Sequence, residues 1–204
     1  KIKNYYKREA EVIYPPVDTE KFCIQRKTLR QAQGKKGDYF LAVCRLIHYK
    51  KFDLIIHAFN KLNLPLIVIG NGPELENLKL IAKSSKIEFL TSITDEQLLI
   101  LYNGAQAFIF PQVEDFGLVA AEAQACGTPV IALNQGGGKE IVSDGETGIL
   151  FNNQTVDDLI MAVKRAQIKQ FDPKKIRESA LRFSKNKFKK AILKAVYEAR
   201  NTRK

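Results

Sequence analysis

The sequence lacks several features that would define a protein class by themselves. It has no tryptophan, one methionine and three cysteines in 204 residues. Cys23, Cys44 and Cys126 have no metal-type spacing, so we expect neither a zinc site nor a disulfide framework. No apolar run approaches the roughly 20 residues of a membrane span, and the N-terminal residues lack the apolar centre of a signal peptide. These absences argue against a transmembrane or secreted protein and favour the cytoplasm.

The composition is that of a globular and strongly basic protein. Hydrophobic residues make up 45%, which suffices for a packed core, and 33 Lys+Arg against 22 Asp+Glu give a net charge of +11. Such a charge attracts polyanions. It is concentrated in Arg26–Lys36 and in Lys185–Lys204. Neither segment has interleaved aromatic residues or a known nucleic-acid motif, so we expect no nucleic-acid partner.

The basic tail has the periodicity of a helix. Phe188, Ile192 and Val196 recur at helical spacing, with lysines on the other faces. Two interpretations remain open. The helix packs on the protein through its apolar stripe, or it lies along an anionic membrane surface with its basic face.

Apolar segments and amphipathic segments alternate along the rest of the chain. The predicted strands are Tyr39–Cys44, Pro65–Gly70, Ile87–Leu90, Ala107–Pro111, Pro129–Leu133 and Gly148–Phe151. The predicted helices are Asp53–Leu62, Pro73–Ala82, Asp95–Asn103 behind a cap at Thr94, Phe116–Ala125, Lys139–Val142, Val156–Ile168 and Lys174–Phe183. This alternation predicts an α/β fold with a doubly wound, Rossmann-like parallel sheet. Such sheets bind ligands beyond the carboxyl ends of their strands.

The most informative segment runs from residue 110 to 131. It places Glu114 at the end of a predicted strand and Glu122 two turns inside an alanine-rich helix. Open amides at a helix start suit a phosphate, and carboxylates suit the hydroxyls of a ribose or a sugar. The pattern favours a nucleotide-sugar site. The alternatives are a solvated Glu114 before a helix and an exposed Glu122.

A second group of candidates follows the first predicted strand. Arg45 comes directly after Cys44, and Lys50 and Lys51 precede the next helix. One turn can aim a guanidinium and an ammonium at the same diphosphate, although a solvated basic loop is the alternative. Two glycine clusters are weaker signals. The pair at 70 and 72 favours a tight turn, and the triple glycine at 136–138 favours a turn at a strand end over a phosphate cradle.

Taken together, six segments resemble the carboxyl-terminal half of a family 4 retaining glycosyltransferase with the two-domain GT-B fold. The segment CRLIHYKKFDL (44–54) is most similar to the mannosyltransferase-like members. The others are YPPVDTEKF (14–22), IGNGPELENL (69–78), FLTSITDEQL (89–98), EDFGLVAAEAQACGTPVIA (114–132) and GGGKEIVSDGETGILF (136–151). The resemblance covers almost all of residues 12–190.

The resemblance implies a role for each candidate residue. Arg45 and Lys50 neutralise the donor diphosphate in place of a metal ion, and Glu114 holds the hydroxyls of the donor sugar. These three are the expected catalytic residues, and neither a metal nor a cofactor is implied. The expected substrate-binding residues are Lys51 as a substitute for Lys50, Phe116, Gly117 and Leu118 through their amides, Glu122 at the ribose, and Gly70, Gly72, Leu90, Thr91 and Ile93 around the nucleobase.

The resemblance also implies how the chain is organised. Residues 1–184 would form the donor-binding domain. Residues 185–204 would form a basic helix that packs on an N-terminal domain absent from this sequence. The chain does not begin with Met, and we expect it to be part of a longer protein and inactive alone.

The complete enzyme would transfer a hexosyl group with retention from a nucleotide diphosphate sugar. The resemblance favours GDP-mannose as the donor and a cell-envelope glycan or lipid-linked molecule as the acceptor. This activity would serve polysaccharide biosynthesis in the cytoplasm, or peripherally at the inner face of the cell membrane. The alternatives are a nucleotide-sugar binding module without transfer activity and another GT-B enzyme such as a sugar-nucleotide epimerase.

Overall fold

In the computed structural model, which describes residues 5–25 and 37–201, parallel strands form one six-stranded sheet. The strands are β1 (Phe40–Val43), β2 (Leu66–Ile69), β3 (Ile87–Leu90), β4 (Phe108–Phe110), β5 (Val130–Leu133) and β6 (Gly148–Phe151). All six predicted strands are present, most of them one residue shorter at one or both ends. The basic segment Arg26–Lys36 lies outside the described residues.

Eight α-helices follow or connect these strands in the described part of the chain. They are α1 (Phe52–Leu62), α2 (Leu75–Ile81), α3 (Asp95–Gly104), α4 (Leu118–Ala125), α5 (Gly136–Ile141), α6 (Val156–Ile168), α7 (Pro173–Ala180) and α8 (Lys185–Asn201). Short 3-10 turns cover His48–Lys50 and Leu181–Phe183. The predicted cap of α3 is confirmed, because Thr94 and Gln97 form a reciprocal capping box.

Helices cover both faces of the sheet, as the doubly wound interpretation requires. Successive residues of β1 point to opposite faces. Phe40 and Ala42 therefore belong to the core under α1, α2 and α6, whereas Leu41 belongs to the core under α3, α4, α5 and α7. Because the inner strands are covered on both faces, they are continuous apolar runs, whereas the edge strand β3 has no buried residue and exposes Glu88.

The strand order places a topological switch at the centre of the sheet. The order is β3-β2-β1-β4-β5-β6, so β2 and β3 extend to one side of β1 and β4 to β6 extend to the other. β1 and β4 are paired in parallel, with Leu41 opposite Phe108. The loops that leave their carboxyl ends diverge and open a crevice, where α/β sheets bind ligands. The loop after β1 carries the predicted cations, and the loop after β4 carries Glu114.

Three predicted helix starts were wrong by two or three residues, and two of these errors are at glycines. The helix predicted from Pro73 begins at Leu75. The helix predicted from Phe116 begins at Leu118, because Gly117 has left-handed backbone angles of φ 102° and ψ 65°. A side chain at Gly117 would come within 2.5 Å of the Phe110 ring. The helix predicted from Lys139 begins instead at Gly136. The triple glycine is thus the first turn of α5 and not a loop before it.

These glycines bring α5 against the loop that carries Glu114. A Cβ atom at Gly136 would lie 2.4 Å from the carbonyl oxygen of Glu114, and one at Gly137 would lie 1.6 Å from that of Phe116. The amide of Gly137 donates a hydrogen bond to the Glu114 carbonyl oxygen at 2.8 Å. The loop backbone is therefore held by direct contact with a helix start, which only a residue without a side chain permits.

The tail helix α8 makes little use of its apolar stripe in this chain. None of its residues is buried, and Ile192 and Val196 are 39% and 61% exposed. Its start is fixed to the domain, because Val17 forms a β-bridge with Ser184 and Asp18 pairs with Lys185. Phe188, at the start of the stripe, is half-buried, so within the described residues the stripe packs on the domain at its first turn only.

We predict that Gly137→Ala destabilises the fold by about 3 kcal/mol or more, since the added methyl group meets backbone that cannot yield. Gly145→Ala is the matched control. A Cβ atom there meets nothing within 4 Å and the residue has a φ of 77°, so the variant bears only a conformational cost of about 1–2 kcal/mol. Urea unfolding of both variants would measure the difference, and equal losses would contradict the close-packing interpretation.

Candidate functional site

An ion pair across the switch point joins two of the predicted catalytic residues. The ammonium of Lys50 donates to Oε1 of Glu114, and the two side chains are only 11% and 20% exposed. Lys50 ends the 3-10 turn after β1. The chain then reverses at Lys51, which has left-handed angles of φ 57° and ψ 37° and precedes α1. This short turn directs Lys50 towards the loop after β4.

The surroundings of Lys50 keep it charged. Partial burial lowers the pKa of the ammonium, but the hydrogen bond to Glu114 and the other groups around it raise that pKa more, and the net shift is upwards. The ammonium also lies 5.1 Å from the centre of the Tyr49 ring. Burial raises the pKa of the neighbouring Cys44 thiol, so Cys44 stays neutral. The site thus holds a positive charge at low solvent exposure.

Glu114 has a second, neutral hydrogen-bond donor. Nε2 of Gln112 donates to the same oxygen, Oε1, at 3.0 Å, and Gln112 is 2% exposed. Within the described part of the chain, no donor reaches Oε2 of Glu114. One carboxylate oxygen is therefore bound by the protein, and the other is available to a hydroxyl group.

Arg45 and Lys51 lie near this pair and are not part of it. Arg45 is exposed, and its guanidinium forms no hydrogen bond or ion pair with any described residue. Lys51 is half-exposed, and its ammonium likewise has no partner among residues 5–25 and 37–201. Both cations are available to an anion, and their contact with a diphosphate stays a prediction.

The start of α4 supplies free amides beside Glu114. No side chain caps this helix, and the amides of Phe116, Gly117 and Leu118 have no acceptor among the described residues. Unpaired amides at a helix start attract a phosphate group. The sharp turn at Gly117 is what turns them towards the crevice.

Glu122 lies one turn further along α4 and is half-buried. It is four residues after Leu118, or about 6 Å along the helix axis. The buried hydroxyl of Tyr102 donates to its Oε2 at 3.2 Å. Burial raises the pKa of Glu122 to about 7, while the Tyr102 hydrogen bond and Lys21 oppose the shift and Asp95 adds to it. Glu122 is therefore not the solvated helix residue of the alternative interpretation. No described contact joins Glu122 to Glu114.

The residues predicted to surround the nucleobase lie on adjoining loops. The amide of Gly70 donates to the carbonyl oxygen of Leu90 at 3.0 Å. A Cβ atom at Gly70 would lie 1.9 Å from the Cys44 carbonyl oxygen, and one at Gly72 would lie 2.3 Å from that of Leu46. The loops after β1, β2 and β3 are thus stacked in backbone contact. Thr91 is exposed and Ile93 is half-buried beside them.

Sequence reasoning did not identify Gln112 or Tyr102, the two side chains that hold the carboxylates. Gln112 follows a strand and Tyr102 lies in a helix, and neither belongs to a motif. The one available signal is that both are polar side chains within apolar segments, where a buried polar group needs a partner.

The described residues also contain a cavity, but neither a metal site nor a membrane-spanning helix. The cavity, of about 260 Å³, lies between α1 and α2, and His48, Asp53, His57 and Glu74 are among its lining residues. Within residues 5–25 and 37–201, no group of three or more His, Cys, Asp or Glu side chains is arranged to hold a metal ion. No helix in the same ranges has the length and apolar character to cross a membrane.

Comparisons with known proteins agree on one family. The family model described as glycosyl transferases group 1 matches residues 25–190. The GDP-mannose-dependent alpha-(1-6)-phosphatidylinositol monomannoside mannosyltransferase of Mycolicibacterium smegmatis is 34% identical over 175 residues, covering 75% of this chain and 46% of that protein. The D-inositol 3-phosphate glycosyltransferase of the same organism is 32% identical over 171 residues, covering 77% and 39%.

A solved structure has the same fold over nearly the whole chain. Sucrose-phosphate synthase from Thermosynechococcus elongatus superposes with a TM-score of 0.83 at 22% identity, covering 98% of this chain and 56% of that one. The chain spans less than half the length of the two curated relatives. These matches confirm the predicted resemblance and the predicted GT-B half.

We predict that Glu122 makes the fold less stable as the pH rises. The folded-state pKa of about 7 lies above the ordinary 4.5, so the folded state binds more protons than the unfolded state between these values and stability falls with pH there. Glu122→Gln removes this dependence. Unfolding by urea at pH 5 and pH 8 should show the variant gaining stability relative to the parent chain at the higher pH.

A constant difference in stability between Glu122→Gln and the parent chain at both pH values would contradict this assignment. Glu146→Gln is a control, because Glu146 is exposed on a turn. This variant should show the same fall in stability with pH as the parent chain.

Proposed function

We propose that this chain is the donor-binding domain of a retaining glycosyltransferase, because it belongs to the glycosyl transferases group 1 family. The observation that carries the proposal is the Lys50–Glu114 pair at the switch point, beside the uncapped start of α4. A buried cation and free amides suit a diphosphate, and an adjacent carboxylate suits a sugar. The complete protein would transfer a hexosyl group.

The proposed donor is a nucleotide diphosphate sugar, with GDP-mannose as the first candidate. The relative whose name specifies GDP-mannose is 34% identical to this chain, and the segment 44–54 supports the same choice. The proposed acceptor is a cell-envelope glycan or a lipid-linked molecule. Such an acceptor would place the complete protein in the cytoplasm or peripherally at the inner face of the membrane.

The site would act mainly through charge. As the glycosidic bond breaks, negative charge gathers on the leaving diphosphate. Arg45, Lys50 and the amides at the start of α4 would stabilise it without a metal ion. Once the donor is bound, these groups would already face the leaving phosphate and need not reorganise in the transition state, where the interaction is worth most. Glu114 would hold the donor sugar, and Glu122 would accept hydrogen bonds from the ribose hydroxyls.

The rest of the proposed site follows from the same placement. Lys51 would add to the charge at the diphosphate. The nucleobase would lie against the stacked loops that contain Gly70, Gly72, Leu90, Thr91 and Ile93. The acceptor would bind on the open side of the crevice.

The domain organisation is part of the proposal. Residues 1–184 would form the donor domain, and α8 would pack its exposed stripe on an N-terminal domain of the complete protein. The alternative of a binding module without transfer activity is favoured by one observation, namely that the chain spans less than half of its relatives. For this chain alone, binding without turnover is the expected behaviour.

Calorimetry with this chain tests donor binding. GDP and GDP-mannose should each bind, and UDP and UDP-glucose measured alongside would reveal the base preference. Lys50→Met should weaken GDP binding by roughly 10-fold or more, since it removes one charge-assisted contact to the diphosphate and leaves the Glu114 carboxylate uncompensated beside it. Lys61→Met is the control, because Lys61 pairs with Asp157 on the exposed surface. Absence of binding by all four ligands at millimolar concentration would refute the proposal.

Turnover tests the chemical role in the complete protein. Arg45→Ala should lower turnover by roughly 10²-fold or more, as loss of a donor to a developing anion does. Arg165→Ala is the matched control, because Arg165 pairs with Asp144 on the surface. An Arg45→Ala enzyme with unchanged turnover would show that the guanidinium does not act on the leaving group.

A further inference from the structure

The buried side chain of Gln112 serves no evident structural purpose at its position. It follows β4 directly, is 2% exposed, and its amide nitrogen donates to Oε1 of Glu114 at 3.0 Å. Burying a neutral amide costs free energy unless its hydrogen bonds are made. An apolar residue would fill the same space at the end of an apolar strand without that cost. The amide therefore has to be explained by its partner, Glu114.

The backbone around Glu114 is fixed independently of Gln112. The carbonyl oxygen of Pro111 accepts a hydrogen bond from Nε2 of Gln154 at 2.8 Å. The carbonyl oxygen of Glu114 itself accepts one from the amide of Gly137 at 2.8 Å. Removing the Gln112 amide should therefore leave the loop in place and free only the Glu114 side chain.

Lys50 alone cannot hold the Glu114 carboxylate throughout donor binding. The proposed function gives its ammonium a second task, which is to neutralise the donor diphosphate. When the diphosphate arrives, Lys50 is shared with it or moves to it, and its hold on Glu114 weakens. Gln112 is too deeply buried to follow a ligand, so its hydrogen bond stays when that of Lys50 does not.

A neutral donor also suits a carboxylate that must bind a hydroxyl. An ammonium partner offsets the negative charge of Glu114, whereas an amide fixes the side chain and leaves that charge in place. Hydrogen bonds to a charged acceptor are stronger than bonds to a neutral one. The unoccupied oxygen, Oε2, would then accept from the donor sugar while Oε1 remains on Gln112.

We propose that Gln112 is a positioning residue that holds Glu114 in place for the donor sugar once Lys50 engages the diphosphate. This inference rests on the proposed function. It assigns Gln112 to sugar recognition only, without contact between Gln112 and the ligand. Binding of the nucleotide without its sugar should not depend on the Gln112 amide.

The test compares GDP-mannose with GDP by calorimetry on this chain. In Gln112→Leu, the dissociation constant of GDP-mannose should rise by roughly 5- to 10-fold while that of GDP stays the same, as expected for loss of one hydrogen bond to a charged group. Gln112→Asn should show the same change in the two dissociation constants, because its shorter amide no longer reaches Glu114. This variant provides the test if Gln112→Leu fails to fold.

The matched control is Gln124→Leu. Gln124 is the other buried glutamine of the described ranges, and its amide donates to Thr147 at 3.0 Å and not to a residue of the proposed site. This variant should lose stability without changing the ratio of the two dissociation constants. A Gln112 variant that raises the dissociation constants of GDP and GDP-mannose equally, or raises neither, would overturn the inference while leaving the proposed function intact. If the parent chain binds neither GDP nor GDP-mannose, nor the uridine ligands, both fail.

Discussion

The site depends on one interaction, the ion pair between Lys50 and Glu114 across the switch point of the sheet. The two residues are 64 positions apart, and they meet because β1 and β4 are neighbours whose loops leave in opposite directions. An ion pair with little exposure repays its desolvation only when its geometry is fixed. That requirement explains the reversal at Lys51, the close packing of α5 on the Glu114 loop and the second donor from Gln112.

The ionisation of Glu122 shows that the crevice costs the fold stability. Glu122 is half-buried with a pKa near 7, so its charged form is less favourable in the folded chain than in water. Its surroundings are alanines of the same helix and the Tyr102 phenol, with Lys21 and Asp95 acting on it through charge. Perturbed ionisation in a crevice is typical of functional sites, and it agrees with the role proposed for Glu122.

Local sequence signals predicted most of the fold, because the strands are short, mainly apolar runs separated by longer helical segments that turn signals delimit. Ile87–Leu90 and Val156–Ile168 were predicted to the residue. Besides the start of α2, which was predicted two residues early, the errors at helix starts fell at Gly117 and Gly136, where tertiary packing, and not local preference, determines the conformation. Arg45, Lys50, Glu114 and Glu122 were predicted as site residues from their places at strand ends and in a helix, and the structure pairs Lys50 with Glu114. Gln112 and Tyr102 were not predicted, because their contacts with the two carboxylates depend on side-chain packing that no motif encodes.

The ligand-free pair bears on the proposed mode of donor binding. Lys50 already has an anionic partner, so a diphosphate would not meet a free cation there and would compete with Glu114 for it. The gain from that exchange would be the difference between two ion pairs, and therefore smaller than either. Arg45, Lys51 and the free amides of α4 have no described partner to lose, so they would supply net attraction. In the proposed function, the exposed cations would raise affinity for the donor. The exchange at Lys50 would couple arrival of the diphosphate to release of the carboxylate proposed to bind the sugar, so that one side chain would link recognition of the two halves of the donor.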